Sequence, residues 1–277
     1  MVFYIFLLIG AFSGFLAGLL GLGGGVVVVP ALATVFIQYH VITPDQLMQM
    51  AIGTSLSAII VTFTVSLYAH AKRGSVRWEF VKRLLPLLIF GVIIGALIAH
   101  HLPSNYLRIF FCIFLIAIAL KLLLPDKKEK IIEAEEVKIE EKIKKVSVLP
   151  SRFYLIVIPV LVGILSSCLG VGGGLILIPF LLSCRLPMRE AMGTSVACGL
   201  GIGIIATASF MLLGGAQVDL PWSTGYIYWP AFLGIAMTSV IFAPLGTAVA
   251  YRLPTQILQR ILAVFLLLVA VKMLFTS

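Results

Sequence analysis

Ten apolar runs separated by short polar joints occupy nearly the whole chain. They fall at residues 3–20, 26–39, 47–69, 84–99 and 106–124, then at 153–169, 175–183, 191–213, 226–250 and 257–275. Most have the roughly 17–25 residues that a membrane-spanning helix needs. Charge is kept out of them: of 31 Asp, Glu, Lys and Arg residues, 14 lie between Asp126 and Lys145. With 61% apolar and 11% charged residues, too few charges remain to coat a soluble surface. The expected fold class is an all-α integral membrane protein, which excludes ordinary cytosolic enzymes and disordered chains. The formal net charge of +9 is no nucleic-acid signal, because the basic residues flank apolar runs, where they fix membrane orientation. The lipid bilayer is the expected partner, and nucleic acid is not. The first residues, Met1-Val-Phe-Tyr-Ile-Phe, lack the basic region of a cleavable signal peptide and read as the start of a helix.

The runs are organised as a duplication. Gly21-Leu-Gly-Gly-Gly-Val-Val-Val-Val-Pro30 returns as Gly170-Val-Gly-Gly-Gly-Leu-Ile-Leu-Ile-Pro179, and Ala51-Ile-Gly-Thr-Ser55 returns as Ala191-Met-Gly-Thr-Ser195. His101-Leu-Pro103 with Lys121 matches Arg252-Leu-Pro254 with Lys272 at one shared offset. Three matches in the same order mark two repeats, residues 1–125 and 153–277, each of about four to five hydrophobic segments. The second and seventh runs are too short to span comfortably, and each follows a glycine run, so they read as half-helices or returning arms of hairpins. Residues 126–152 form a charged linker between the repeats. Its seven acids and seven lysines over 126–145 include Glu140/Lys144 and Glu141/Lys145 at helical i,i+4 spacing, which predicts a solvated helix.

The repeats are expected to be inverted. Placing the loop at 72–83 in the cytoplasm puts 18 of the 20 Lys and Arg residues inside, the linker included, and leaves only Arg108 and Lys272 outside. This works only if each half has an odd number of segments reversing at its glycine run. Both termini then face outside, as does the loop at 214–225, which has no Lys or Arg.

Glycine runs break a helix at low steric cost, and non-helical backbone within a membrane is tolerated where it is buried or lines a cavity. A helix starting just past the break aims unpaired N–H groups and a positive dipole end at that cavity, which suits an anion. Transporters built from inverted repeats place broken helices of this kind at their midplane binding site. The candidate substrate-binding residues are therefore Gly23, Gly24, Gly25, Gly172, Gly173 and Gly174, with the hydroxyls of Thr54, Ser55, Thr194 and Ser195 completing the shell. Tight helix packing by small residues explains the glycines equally at a single copy, and a back-bond to the helix explains a single hydroxyl; the duplication favours the site. Ser57, Thr62, Thr64, Ser66, Thr207 and Ser209 either line a path or pack helices.

Absences narrow the chemistry. Asp45, Glu79, Glu190 and Asp219 are the only acids outside the linker, all near segment ends, so no interior carboxylate offers a proton relay or cation site. His70, beside Lys72 and Arg73, reads as an interfacial residue, and His40, His100 and His101 as loop or interface residues. Cys112, Cys168, Cys184 and Cys198 lack metal spacing and read as buried thiols, Cys168 being the one beside a glycine run. No nucleophile–base or metal pair is visible. No catalytic residue, metal or cofactor is expected, and the chain is not expected to be an enzyme. The expected substrate is a small anion, and a homodimer stays open.

Gly18-Leu-Leu-Gly-Leu-Gly-Gly-Gly25 with Pro30, then Ala51-Ile-Gly-Thr-Ser55, then His70-Ala-Lys-Arg-Gly74 and Trp78, resembles the sulfite exporter TauE/SafE family, also called the toluene sulfonate uptake permease group. The second-half copies at Gly170–Pro179 and Gly193–Ser195 fit the same pattern. The resemblance implies secondary transport, usually export, of sulfite, sulfoacetate or related organosulfur anions across a prokaryotic inner membrane. It implies four plus four helices, whereas scoring the short segments separately gives ten. A permease for another anion such as a carboxylate, or a membrane assembly or sensory factor, remains the alternative reading.

Overall fold

The computed structural model describes residues 2–20, 23–123, 152–215, 218, 220–250 and 255–275. The expected charged linker at 126–152 lies outside the described residues, apart from Arg152. The first half contains α1 (Val2–Leu20), α2 (Gly25–Gln38), a single 3-10 turn (Pro44–Gln46), α3 (Leu47–Lys72), α4 (Trp78–His101) and α5 (Ser104–Leu123). The second contains α6 (Arg152–Leu169), α7 (Gly174–Ser183), α8 (Met188–Gly214), α9 (Trp229–Ala250) and α10 (Thr255–Phe275). The fold is all-α, with two-residue strands β1 (Ser223–Thr224) and β2 (Ile227–Tyr228) forming a small hairpin before α9. Among the described residues, four helical stretches are long and apolar enough to cross a membrane: Pro44–Lys72, Trp78–His101, Arg189–Gly214 and Trp229–Gly246.

Two boundaries differ from the sequence reading for physical reasons. Apolarity predicts a fourth segment from residue 84, but α4 begins at Trp78 and carries Glu79, Lys82 and Arg83 in its first turns. A helix is held by backbone hydrogen bonds, which continue past the last apolar residue. The ninth run, expected from Tyr226, begins instead in the hairpin: Gly225 takes φ 57°, Ser223 pairs with Tyr228, and the helix starts at Trp229. His100, expected in a loop or at an interface, lies in the last turn of α4 and meets the Tyr226 hydroxyl at 3.1 Å.

Packing repeats under exchange of the halves. α1 packs on α9 as α6 packs on α4; α3 touches α9 as α8 touches α4; α2 lies on α3 as α7 lies on α8; α3 pairs with α8, and α5 with α10. Small residues let these backbones approach. Gly10 and Gly14 of α1 face Ile235 and Ser239 of α9, while Gly91 and Gly95 of α4 face Val160, Gly163 and Ile164 of α6. The Thr238 hydroxyl donates across the first interface to the Leu7 carbonyl at 2.8 Å, and the Cys168 thiol donates across the second to the Gly95 carbonyl at 3.3 Å. Cys168 is buried there, as expected of a packing thiol.

The central pair runs antiparallel. Gly53 near the start of α3 meets Tyr226, beyond the end of α8; Gly203 meets Leu56 and Ile60; Gly193 near the start of α8 meets Ser75, beyond the end of α3. α3 is the most enclosed span, with 67% of its most apolar stretch buried against 39% for α4 and 44% for α8. Its start is tied down by Gln49, whose amide donates to the Leu102 carbonyl at 2.8 Å and accepts from the Ser104 hydroxyl at 2.8 Å.

Candidate anion-binding site

Both glycine runs end the same way. Gly24 precedes α2 with φ 70° and ψ −17°, and Gly173 precedes α7 with φ 75° and ψ −19°. This left-handed backbone costs an L-residue about 1–2 kcal/mol and costs glycine almost nothing. The chain reverses there and starts a new helix whose leading N–H groups have no intrahelical partner. Four of these donors are spent locally: Gly25 N–H donates to the Gly23 carbonyl at 2.9 Å and Gly173 N–H to the Val171 carbonyl at 2.6 Å, while Val27 and Ile176 N–H donate to the Gly24 and Gly173 carbonyls at 2.9 and 3.1 Å.

The breaks meet in the protein interior. Gly25 abuts the Gly170 carbonyl, and the Ser55 hydroxyl donates to that same carbonyl at 3.0 Å. Gly23 and Gly172 both lie against the ring of Phe63, which Gly199 of α8 also touches. The structure therefore brings Gly25 and Ser55 against Gly170, and Gly23 and Gly172 against one ring, across the two halves, while Gly24 faces Ser13 and Ala17 and Gly173 faces Ser166 and Ile202 within their own halves.

Thr54 and Thr194 point elsewhere. The Thr54 hydroxyl oxygen accepts the Tyr228 N–H at 3.0 Å, and the Thr194 oxygen accepts the Arg77 N–H at 3.1 Å. Each threonine thus caps the helix that begins in the opposite half, α9 and α4 respectively, a bond typically worth about 1 kcal/mol. Both are fully buried, and each retains a hydroxyl proton to donate. Arg77 adds a bidentate bridge to Glu190 of α8 at 2.7 and 2.8 Å, a second tie between the halves beside the Thr194 cap.

Ser195 behaves differently from its counterpart Ser55. It is fully buried, and its hydroxyl has no hydrogen-bond partner; the same holds for Ser166 and Ser167 of α6. The Ser166 oxygen lies 3.1 Å from where a Cβ on Gly173 would stand. At the equivalent place in the first half is Ala17, whose methyl lies 3.4 Å from the Cβ position of Gly24. The second break therefore has an unpartnered hydroxyl, that of Ser166, beside the residue that starts its helix, where the first has the Ala17 methyl. Neutral donors of this kind can receive negative charge without holding a fixed positive charge in the interior. Of the polar positions that continue along the spans, Ser57, Thr62, Thr64 and Ser209 all bond carbonyls of their own helix, as hydroxyls in membrane helices commonly do. Thr207 is buried and unpartnered.

A family model for the sulfite exporter TauE/SafE matches residues 6–273. The chain belongs to that family. It is 35% identical over 269 residues to a probable membrane transporter protein of Haemophilus influenzae, covering 96% of both chains. It is 29% identical over 243 residues to one of Methanocaldococcus jannaschii, covering 87% of this chain and 81% of that one. It is 28% identical to the probable membrane transporter protein YunE of Bacillus subtilis, covering 99% and 98%. No solved structure matches. Family membership and the apolar helices together make this chain a multi-pass membrane transporter.

Sequence reading found the glycine breaks and the duplicated Gly-Thr-Ser, but missed Phe63, Gly199, Ser166 and Ser167. A signal for Ser166 was present: aligning the two glycine runs sets its hydroxyl against the Ala17 methyl.

Proposed function

We propose that this chain is a secondary transporter, not an enzyme, which moves small sulfur oxyanions of the sulfite or sulfoacetate class out of the cell across a prokaryotic inner membrane. The observation that carries the reading is the meeting of the two glycine breaks, where Gly25 at the start of α2 abuts the Gly170 carbonyl ahead of α7. The anion is held by leading N–H groups of these helices around Gly23–Gly25 and Gly172–Gly174, with Ser55 and Ser195 at its edge. Thr54 and Thr194 support this shell by fixing the helices that enclose it. A family description naming sulfite export supports the choice among anions. Purified protein in liposomes is expected to move labelled sulfite, and to move acetate much more slowly. Equal rates for the two would replace the sulfur assignment with general anion permeation, and no flux of either would end the transport reading.

The antiparallel pairing of α3 with α8 supports inverted repeats with an axis in the membrane plane, and the basic-residue count supports a cytoplasmic linker and external termini. Cysteines introduced at Gly74 and Gly214, in a background without native thiols, are expected to label from opposite sides. Labelling of both from one side would overturn the inversion.

A further inference from the structure

We infer that Phe63 is the gate of the transport path, an aromatic plug seated between the two glycine breaks. The inference rests on the transport reading and extends it from the binding shell to the barrier. The ring is 1% exposed and three glycines meet its distal end: a Cβ on Gly23 would lie 2.5 Å from Cζ, one on Gly199 would lie 2.5 Å from Cε2, and one on Gly172 would overlap Cε2. Three glycines from three segments of the chain have converged on one side chain. Those absent side chains leave a slot the width of an aromatic ring, and nothing in helix formation alone calls for it.

The slot lies across a path. On one side of the ring is a small cleft lined by Ala17, Gly18, Thr62, Ser66 and Ala243 together with Gly23, at the end of α3 that leads toward Arg73 and Arg77. On the other side are Gly172 and Gly199, and Ser195 stands one helical turn before Gly199 on the same face of α8. The ring therefore separates the cleft from an unpartnered buried hydroxyl and from the α7 break. Phe63 packs with Ile59 and Val196 in a small cluster of its own, apart from the main core. Leu67 and Leu200 pack against that cluster, so movement of the ring engages this small group rather than the main core. The duplication sharpens the point, because the residue in the equivalent position of α8 is Gly203. One plug in one repeat gives a barrier on one side of the site, which the pseudo-symmetric scaffold by itself would not supply.

The test reads accessibility, so it does not depend on knowing the substrate. In a full-length chain without native cysteines, Val196→Cys is treated with a small membrane-impermeant methanethiosulfonate from the cleft side. Modification is expected to be slow with Phe63 and with Phe63→Tyr, and faster by about tenfold or more with Phe63→Ala. Phe63→Leu, which keeps more of the volume, is expected to fall between them and provides the same comparison if the alanine variant fails to fold. Equal modification rates across well-folded Phe, Leu and Ala variants would overturn the gate. Faster modification without sulfite flux would leave the barrier standing and remove the substrate assignment instead.

Discussion

Replacing Gly173 or Gly24 by leucine is expected to cost a large part of the protein's stability. Both residues hold left-handed backbone, at φ 75° and 70°, and both are followed at once by a helix. The backbone alone costs a non-glycine residue about 1–2 kcal/mol. The side chain adds a second cost, since a Cβ at 173 would stand 2.7 Å from Ile202 Cδ1, and one at 24 would stand 3.1 Å from the Ser13 carbonyl oxygen. Overpacking typically costs about 1–3 kcal/mol more, and the sum is a large part of the roughly 5–15 kcal/mol that keeps a protein folded. Alanine separates the two costs. At 173 its methyl meets the movable tip of Ile202 and, at 3.1 Å, the rotatable Ser166 hydroxyl, so Gly173→Ala is expected to show mainly the backbone penalty. Thermal unfolding in detergent and flux in liposomes measure both effects. If Gly173→Leu melts with wild type and transports normally, α7 does not depend on this turn, and the reversal at the break is not what builds the site.

The glycine turns were legible because the sequence states them twice. A run such as Gly21–Gly25 followed by a short apolar stretch and a proline has few structural uses, and a second copy at Gly170–Pro179 removes most of them. The membrane class was legible for a similar reason, since charge excluded from ten long runs leaves no soluble alternative. The roles of Thr54 and Thr194 were not legible. Their partners, Tyr228 and Arg77, lie 174 and 117 residues away in sequence, and only the folded pairing of the halves brings each threonine to the start of the other half's helix. Phe63 was hidden by its surroundings, as one of 18 phenylalanines within an apolar run. Its distinction lies in the residues opposite it, three glycines contributed by three segments. The hairpin before α9 was missed because Tyr226 and Ile227 are apolar, and apolarity does not separate a short buried strand from the first turn of a span.

Ser195→Ala and Ser166→Ala are expected to raise stability while weakening anion binding, a combination that packing alone does not produce. A buried hydroxyl without a partner costs about 1–3 kcal/mol of desolvation, and both of these are buried and unpartnered. Removing the hydroxyl removes that cost, and position 166 tolerates alanine because Ala17 already fills the equivalent place in the first half. The melting midpoint without added anion should therefore hold or rise. A hydrogen bond to a charged partner is worth about 1.5–3 kcal/mol, so the same substitutions should weaken sulfite binding by roughly ten- to a hundredfold. Ser55→Ala supplies the contrast. Its hydroxyl is already bonded to the Gly170 carbonyl, so its loss leaves a buried acceptor bare and should lower the midpoint. Titration calorimetry and thermal unfolding on the same preparations separate the two behaviours. Unchanged affinity in both Ser195→Ala and Ser166→Ala would mean that these hydroxyls do not face the substrate, and the site would then rest on the helix starts alone.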